Sequence, residues 1–361
     1  MARKKNEYIF APEKQRKRGP GCLILLLSVL LAIVVLSYLA NMTVNRKVDL
    51  KTTRVPVMAL DRAFEGFTIL HISDLHAAPV GAEADVWRTL LFGKNFSAVV
   101  LTGDMVGKTG DYQPLVLLIQ TLRQINTTAP IYFVAGDEDP PPVVSAYRGT
   151  PEPLADWVLA AKDAGAIYLD APVSQQVGRR TVWFTPEDLY NVQLTGRLQS
   201  LTMQKEEMEA RGLQYEAEGG ASYRAHMNRI EAMQRSVEAV SLISADDLQI
   251  AVTHAPRPVS YVRDALEWAD PKAVFSFRNV SLVMAGHYVG GQWRLPFGFG
   301  ALYIPEIGWL PDDEGILGMQ RINSINQYIS GGIGASGYYP MPNRFFNGPE
   351  VSLLAFTARI E

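Results

Sequence analysis

Cysteine is almost absent from this chain. Among its 361 residues only Cys22 is present, so no internal disulfide can form and no zinc site can rest on thiolates. Histidine is scarce as well. His71, His76, His226, His254 and His287 are the full set, too few for several imidazole-rich centres. No internal repeat is visible. A basic body is also missing. Residues 1–20 hold seven Lys/Arg against two acids, whereas the rest holds 27 basic and 35 acidic residues. A polyanion finds little to grip there, and nucleic-acid binding is not expected.

One stretch lacks charge altogether. From Cys22 to Ala40 the run is CLILLLSVLLAIVVLSYLA, which at about 1.5 Å per residue just crosses a hydrocarbon core. The following Tyr38-Leu39-Ala40-Asn41 makes a poor cleavage site, so an uncleaved anchor is expected. The chain then divides into a basic cytoplasmic tail (1–20), a transmembrane signal anchor (21–41), a stalk (42–60) and a main domain (61–361). The basic flank favours a cytoplasmic N-terminus, a cell-membrane location and an extracytoplasmic main domain; Arg46, Lys47, Lys51 and Arg54 weaken that bias without reversing it.

In the main domain, short apolar runs alternate with helical patterns. Phe67–Ile72, Ala98–Leu101 and Ile131–Val134 read as strands, and helical periodicity falls near 83–92 and 112–124. The β-α-β-α-β order calls for a parallel sheet with right-handed crossovers. Leu248–Thr253, Ser281–Met284, Gln327–Ser330 and Val351–Phe356 supply later strands. One segment breaks this rhythm. Residues 191–245 are charged, Met-rich and helical in pattern, with Tyr223, Met227, Ile230, Met233, Val237 and Val240 on one face. A hairpin packed on the body, a cap over a cleft that takes an apolar group, and a docking element for a partner protein all remain open. His226 is expected to belong to that segment rather than to a ligand set.

The chemistry-bearing motifs sit at strand ends: Asp74-Leu75-His76, Gly103-Asp104 and Gly136-Asp137-Glu138-Asp139, joined later by His254 and Gly286-His287. Ligands bind beyond the carboxyl ends of parallel strands, and carboxylates mixed with imidazoles suit divalent cations. No single motif is specific. The ordered set resembles the metal-binding loops of the calcineurin-like metallophosphoesterases, in their membrane-associated bacterial branch. Ala285-Gly286-His287-Tyr288-Val289-Gly290-Gly291-Gln292 and the terminal segment from Ser330-Gly331-Gly332-Ile333-Gly334 to Pro349-Glu350 extend the likeness.

That resemblance implies an α/β fold, a β-sandwich flanked by helices, preceded here by one transmembrane helix. It implies Asp74, His76 and Asp104 on a first ion, and Asp104, Asp137, His254 and His287 on a second. One or two divalent ions (Mn, Fe or Zn) are expected, with Asp104, Glu138 and His287 in catalytic roles. Two departures stand out. Val289 occupies the place of a histidine ligand to the first ion, and Glu138 the place of a histidine facing the phosphate. Asp139 is expected as a turn residue, and Tyr288 and Arg294 as packing and surface residues.

The expected activity is that of a membrane-anchored, metal-dependent phosphohydrolase. It would cleave a phosphoester or pyrophosphate bond of a small-molecule or lipid-linked substrate with metal-activated water. The alternative is a degenerate member of the family that binds or scaffolds without catalysis.

Overall fold

The computed structural model describes residues 21–146, 152–341 and 343–359. The chain divides at Val44 into two units. The first holds one helix, α1 (Gly21–Val44). Its Leu23–Val44 portion is long and apolar enough to cross a membrane. Ser28 and Thr43 return their hydroxyls to the carbonyls of Ile24 and Leu39, so neither hydroxyl is left without a partner on an apolar helix.

From Val44 onward the elements follow in order: β1 (Asp49–Pro56), β2 (Thr68–Ile72), α2 (Ala84–Leu90), β3 (Ala98–Thr102), α3 (Gln113–Ile125), β4 (Ile131–Val134), α4 (Asp156–Asp163) and β5 (Ala166–Tyr168). Then come β6 (Val173–Val177), β7 (Arg180–Pro186), α5 (Leu194–Ala210), α6 (Ala217–Leu242), β8 (Leu248–Val252), α7 (Val259–Trp268) and β9 (Val280–Ala285). The chain continues with β10 (Trp293–Arg294), β11 (Ala301–Ile304), β12 (Gly308–Trp309), β13 (Gly318–Ile322), β14 (Ile325–Ile329) and β15 (Glu350–Thr357).

These strands form two six-stranded sheets, ordered β1-β15-β2-β3-β4-β5 and β13-β14-β9-β8-β7-β6, and a small sheet β10-β11-β12. Strands β2 to β5 run parallel, as do β7, β8, β9 and β14. Alternation along each strand explains the layering. Ile69, Val100, Tyr132 and Leu354 from one sheet meet Phe184, Ile250, Leu282 and Tyr328 from the other in a shared core. The opposite faces carry Leu70, Leu101 and Phe133 onto α3 and α4, and Ala251, Val283 and Ile325 onto α7. Both faces are covered, so β3, β4 and β8 are buried throughout and read as continuous apolar runs. The architecture is the helix-flanked sandwich expected.

Residues 49–56 depart from the expectation of a stalk. They form β1, an edge strand parallel to β15 along its whole length. Lys51 pairs with Glu350 across the register, and Val55 is fully buried. Polar alternation fits an edge strand as well as a linker, and its partner lies some 300 residues away. Helices α5 and α6 fill the 191–245 segment. His226 is buried between them and bonds the carbonyl of Leu201 at 2.8 Å, and Arg235 ties α6 to Asp170 at 2.7 Å.

The tightest aromatic contact between the two sheets is the Tyr132–Phe184 stack, with centroids 4.2 Å apart. Phe184→Ala should therefore lower stability by about 3–5 kcal/mol. Chemical denaturation of the full chain checks this, and a change within ~0.5 kcal/mol would contradict the packing described.

Candidate metal centre

Both large sheets present the carboxyl ends of their central strands to one place. The loop after β2 carries Asp74 and His76, that after β3 Asp104, and that after β4 Asp137. The loops after β8 and β9 bring His254 and His287. The chain must bend sharply as it leaves each strand. Asp74, His76, Asp104 and His287 have φ of 51°, 45°, 51° and 79°, a left-handed conformation uncommon for residues with a side chain. Gly103 (φ 91°) lets this crowding occur, because a Cβ there would lie 2.7 Å from both Gly136 N and His254 Nδ1.

Backbone bonds lock the loops together. Asp74 N–H donates to Gly103 O at 3.0 Å, and His76 N–H to Asp104 O at 2.8 Å. Asp139, expected as a turn residue, does much more. Its carboxylate accepts the N–H groups of Met105, Val106, Gly107 and Gly136 at 2.7–3.2 Å, clamping the Asp104 loop to the Asp137 loop.

The side chains gather into two groups, Asp74 with His76 and Asp104, and Asp137 with His254 and His287. Within each, the potential ligand atoms lie inside 4.8 Å of one another. Asp104 stands between the groups, its Oδ2 being 3.7 Å from His76 Nε2 and 3.2 Å from His254 Nε2. Each imidazole of the second group is oriented from behind. His254 donates Nδ1–H to Thr102 O at 2.8 Å, which turns Nε2 toward Asp104 and toward Asp137 at 2.6 Å. His287 holds Glu306 at 2.8 Å through Nε2 and turns Nδ1 to Asp137 at 3.1 Å. Such outer partners fix the tautomer of metal-binding histidines.

The electrostatics ask for a cation. Burial raises the pKa of Asp74, and the nearby Asp104 charge adds to that. Burial alone would lower the pKa of His254, yet bonds to Asp104 and Asp137 and the field of Asp74 raise it well above its ordinary value. At His287, burial again opposes and Asp137 and Glu306 prevail, lifting the pKa to about 9. Asp137 moves the other way: burial would raise it, but His254 and His287 hold it well below the carboxylate range. The clearest sign of fit is His76 Nε2, which is buried without any hydrogen-bond partner and faces Asp104. A divalent ion held there would satisfy that nitrogen and let the carboxylates stay ionised together.

The two departures from the family pattern have distinct structural outcomes. Val289 is fully buried with φ 51°, and its carbonyl accepts from Asn347 Nδ2 at 2.7 Å, so the position keeps the bent backbone without a donor side chain. Glu138 is buried, and donors surround its carboxylate: Ser336 Oγ, Gly337 N at 2.9 Å and Lys108 Nζ at 3.4 Å. Its oxygens are used to hold the 336–338 loop.

That loop adds a residue that sequence reasoning missed. Tyr338 lies with its ring 4.0 Å under Lys108 Nζ, and its phenol is pushed up to about 12 by burial and by the neighbouring Asp137 charge. Glu306, Lys108 and Tyr338 belong to no strand-end motif, and only Glu306 had a visible hint, lying between strands close after His287. Arg294 is engaged with Asp313 at 2.5 Å and with Gly290 O at 2.7 Å, whereas Tyr288 joins His287, Glu306 and Tyr338 in lining a small cleft.

Comparison with known proteins bears on this site. No curated protein sequence matched the chain. Among solved structures, the phosphopantetheinyl hydrolase of Mycobacterium tuberculosis is similar over 75% of this chain and 91% of its own, at 11% identity and a TM-score of 0.33. The family description "Calcineurin-like phosphoesterase" matches residues 67–291, a span running from the first strand before Asp74 to the loop beyond His287. The chain belongs to the calcineurin-like phosphoesterases, metal-dependent hydrolases of phosphoester bonds.

Proposed function

We propose that this chain is a membrane-anchored phosphohydrolase in which Asp74, His76 and Asp104 hold one divalent ion and Asp104, Asp137, His254 and His287 hold a second. The observation that carries this reading is the position of Asp104 between the two ligand groups, with His76 Nε2 buried and unsatisfied on one side of it. Bound there, two such ions lower the pKa of water and neutralise the charge of a transferring phosphoryl group. Mn, Fe and Zn all suit a set of mixed carboxylates and imidazoles.

The chain's own residues supply the rest. Thr102 and Glu306 fix the faces that His254 and His287 turn to the centre. His287 also donates its backbone N–H to Asp74 at 3.1 Å, joining the two groups rigidly. Glu138 takes no direct part in this reading. It positions the loop that carries Tyr338 and pairs with Lys108, whose half-exposed ammonium faces incoming phosphate. The substrate is a phosphorylated small molecule or lipid headgroup. α1 serves as the anchor, with the N-terminus cytoplasmic and the body outside, on the charge bias of residues 1–20.

Hydrolysis of an activated phosphodiester by the detergent-solubilised full chain should depend on Mn²⁺, Fe²⁺ or Zn²⁺ and vanish with chelator. Asp104→Ala should lower the rate by ~10²-fold or more, since it removes a shared ligand of both ions. Turnover no higher than that of the variant, with any metal, would instead make the chain a non-catalytic binding member of its family.

The first group has one ligand fewer because of Val289. Metal titration should accordingly resolve a tight and a weak equivalent, with Val289→His tightening the weak one by about tenfold, or ~1.4 kcal/mol. Equal affinities in the parent chain would show that the first group is complete as it stands.

A further inference from the structure

The small sheet β10-β11-β12 and the loop beside it expose large apolar side chains. Phe299, Trp309 and Leu310 are 74%, 69% and 65% exposed, and Ile307 and Met341 are about half exposed. Among them Trp309 packs on an aromatic cluster, in which Trp293 meets Tyr303, Tyr339 and Phe345, and Tyr303 meets Trp309 at 4.9 Å. Several exposed apolar side chains on one small sheet and its flanking loops mark a surface that another apolar phase covers.

The same ridge borders the metal centre. Glu306, which orients His287, lies in the turn between β11 and β12, next to Ile307. The cleft lined by His287, Glu306 and Tyr338 opens between this turn and the 338–341 loop.

The chain enters the body beside the strands that carry the ridge. The body begins at Val44, the last residue of the apolar span. Asn45 donates to the carbonyl of Arg344 at 2.7 Å. Phe345, next in the chain, pairs with Trp293, Trp293 with Tyr303, and Tyr303 with Trp309. Three interstrand steps of about 4.8 Å, roughly 15 Å in all, separate Phe345 from Trp309.

We propose that the ridge of Phe299, Ile307, Trp309, Leu310 and Met341 inserts into the headgroup–acyl boundary of the bilayer that α1 crosses, setting the mouth of the metal centre at the lipid surface. The inference rests on α1 being kept as an anchor, and it narrows the proposed substrate to a phosphoester presented by the bilayer. Trp and aliphatic side chains suit that boundary. Asp312 and Glu314 follow the ridge and are exposed, so contact is apolar rather than driven by anionic lipid.

The lone cysteine makes a clean test. In a Cys22→Ser background, the full chain is reconstituted in phosphatidylcholine vesicles with a nitroxide at Trp309→Cys, Leu310→Cys or, as a reference, Arg179→Cys in the exposed β6–β7 turn. Labels at 309 and 310 should be reached by oxygen and shielded from a water-soluble nickel chelate, with the label at 179 showing the reverse. Chelate access at 309 and 310 equal to that at 179 would overturn the proposal. So would shielding accompanied by spin–spin broadening that disappears on dilution with unlabelled chain, which would assign the ridge to a second copy. The same depths are expected with Asp104→Ala, so a failure of hydrolysis and a failure of docking are read separately.

Discussion

Everything in this fold answers to the need to keep several carboxylates together in a buried place. Asp74 and Asp104 are almost wholly removed from water, and Asp137 lies beside them with two imidazoles. An unpaired buried charge costs several kcal/mol, so the site must surround its anions with fixed donors and counter-charges. The two sheets supply these from opposite sides, three loops from one and two from the other. Neither sheet alone holds both ligand groups. The Asp139 clamp matters for the same reason: four backbone N–H groups converge on one carboxylate, fixing the separation of Asp104 and Asp137 before any ion arrives.

The departures at Val289 and Glu138 differ in kind. At Val289 the backbone keeps a left-handed bend that a β-branched residue adopts only under constraint. The bend stands there without a donor side chain. At Glu138 the side chain has been drawn into a new network with Ser336, Gly337 and Lys108. A cation, Lys108, thus stands beside this acid. That offsets the repulsion that three neighbouring acids would otherwise exert on a phosphoryl group.

How much was legible in the sequence follows from range. Asp74, Asp104 and Asp137 end apolar runs that only a buried parallel sheet explains, so local pattern placed them. His254 and His287 end later runs of the same kind. β1 escaped because its polar edge reads as linker and its register depends on β15, far along the chain. Glu306, Lys108 and Tyr338 escaped because each reaches the centre through tertiary packing of loops that carry no periodic signal. Asp139 sat in plain view, but backbone donors contributed by residues 105–107 leave no trace in side-chain pattern.

The arrangement of the β11–β12 turn connects these levels. Glu306 and Ile307 are adjacent, one reaching His287 and the other solvent, so a surface that holds Ile307 also restrains the partner of His287. Burying each ridge side chain in an apolar phase contributes about 1.5–3 kcal/mol. One such side chain alone gives a weak association. A tether a few residues long changes the balance, because it turns docking into an intramolecular step at high effective concentration. Little intrinsic affinity is then needed to keep the cleft against lipid. A rim of one polar and several apolar residues can serve both as wall of the site and as its contact with the membrane.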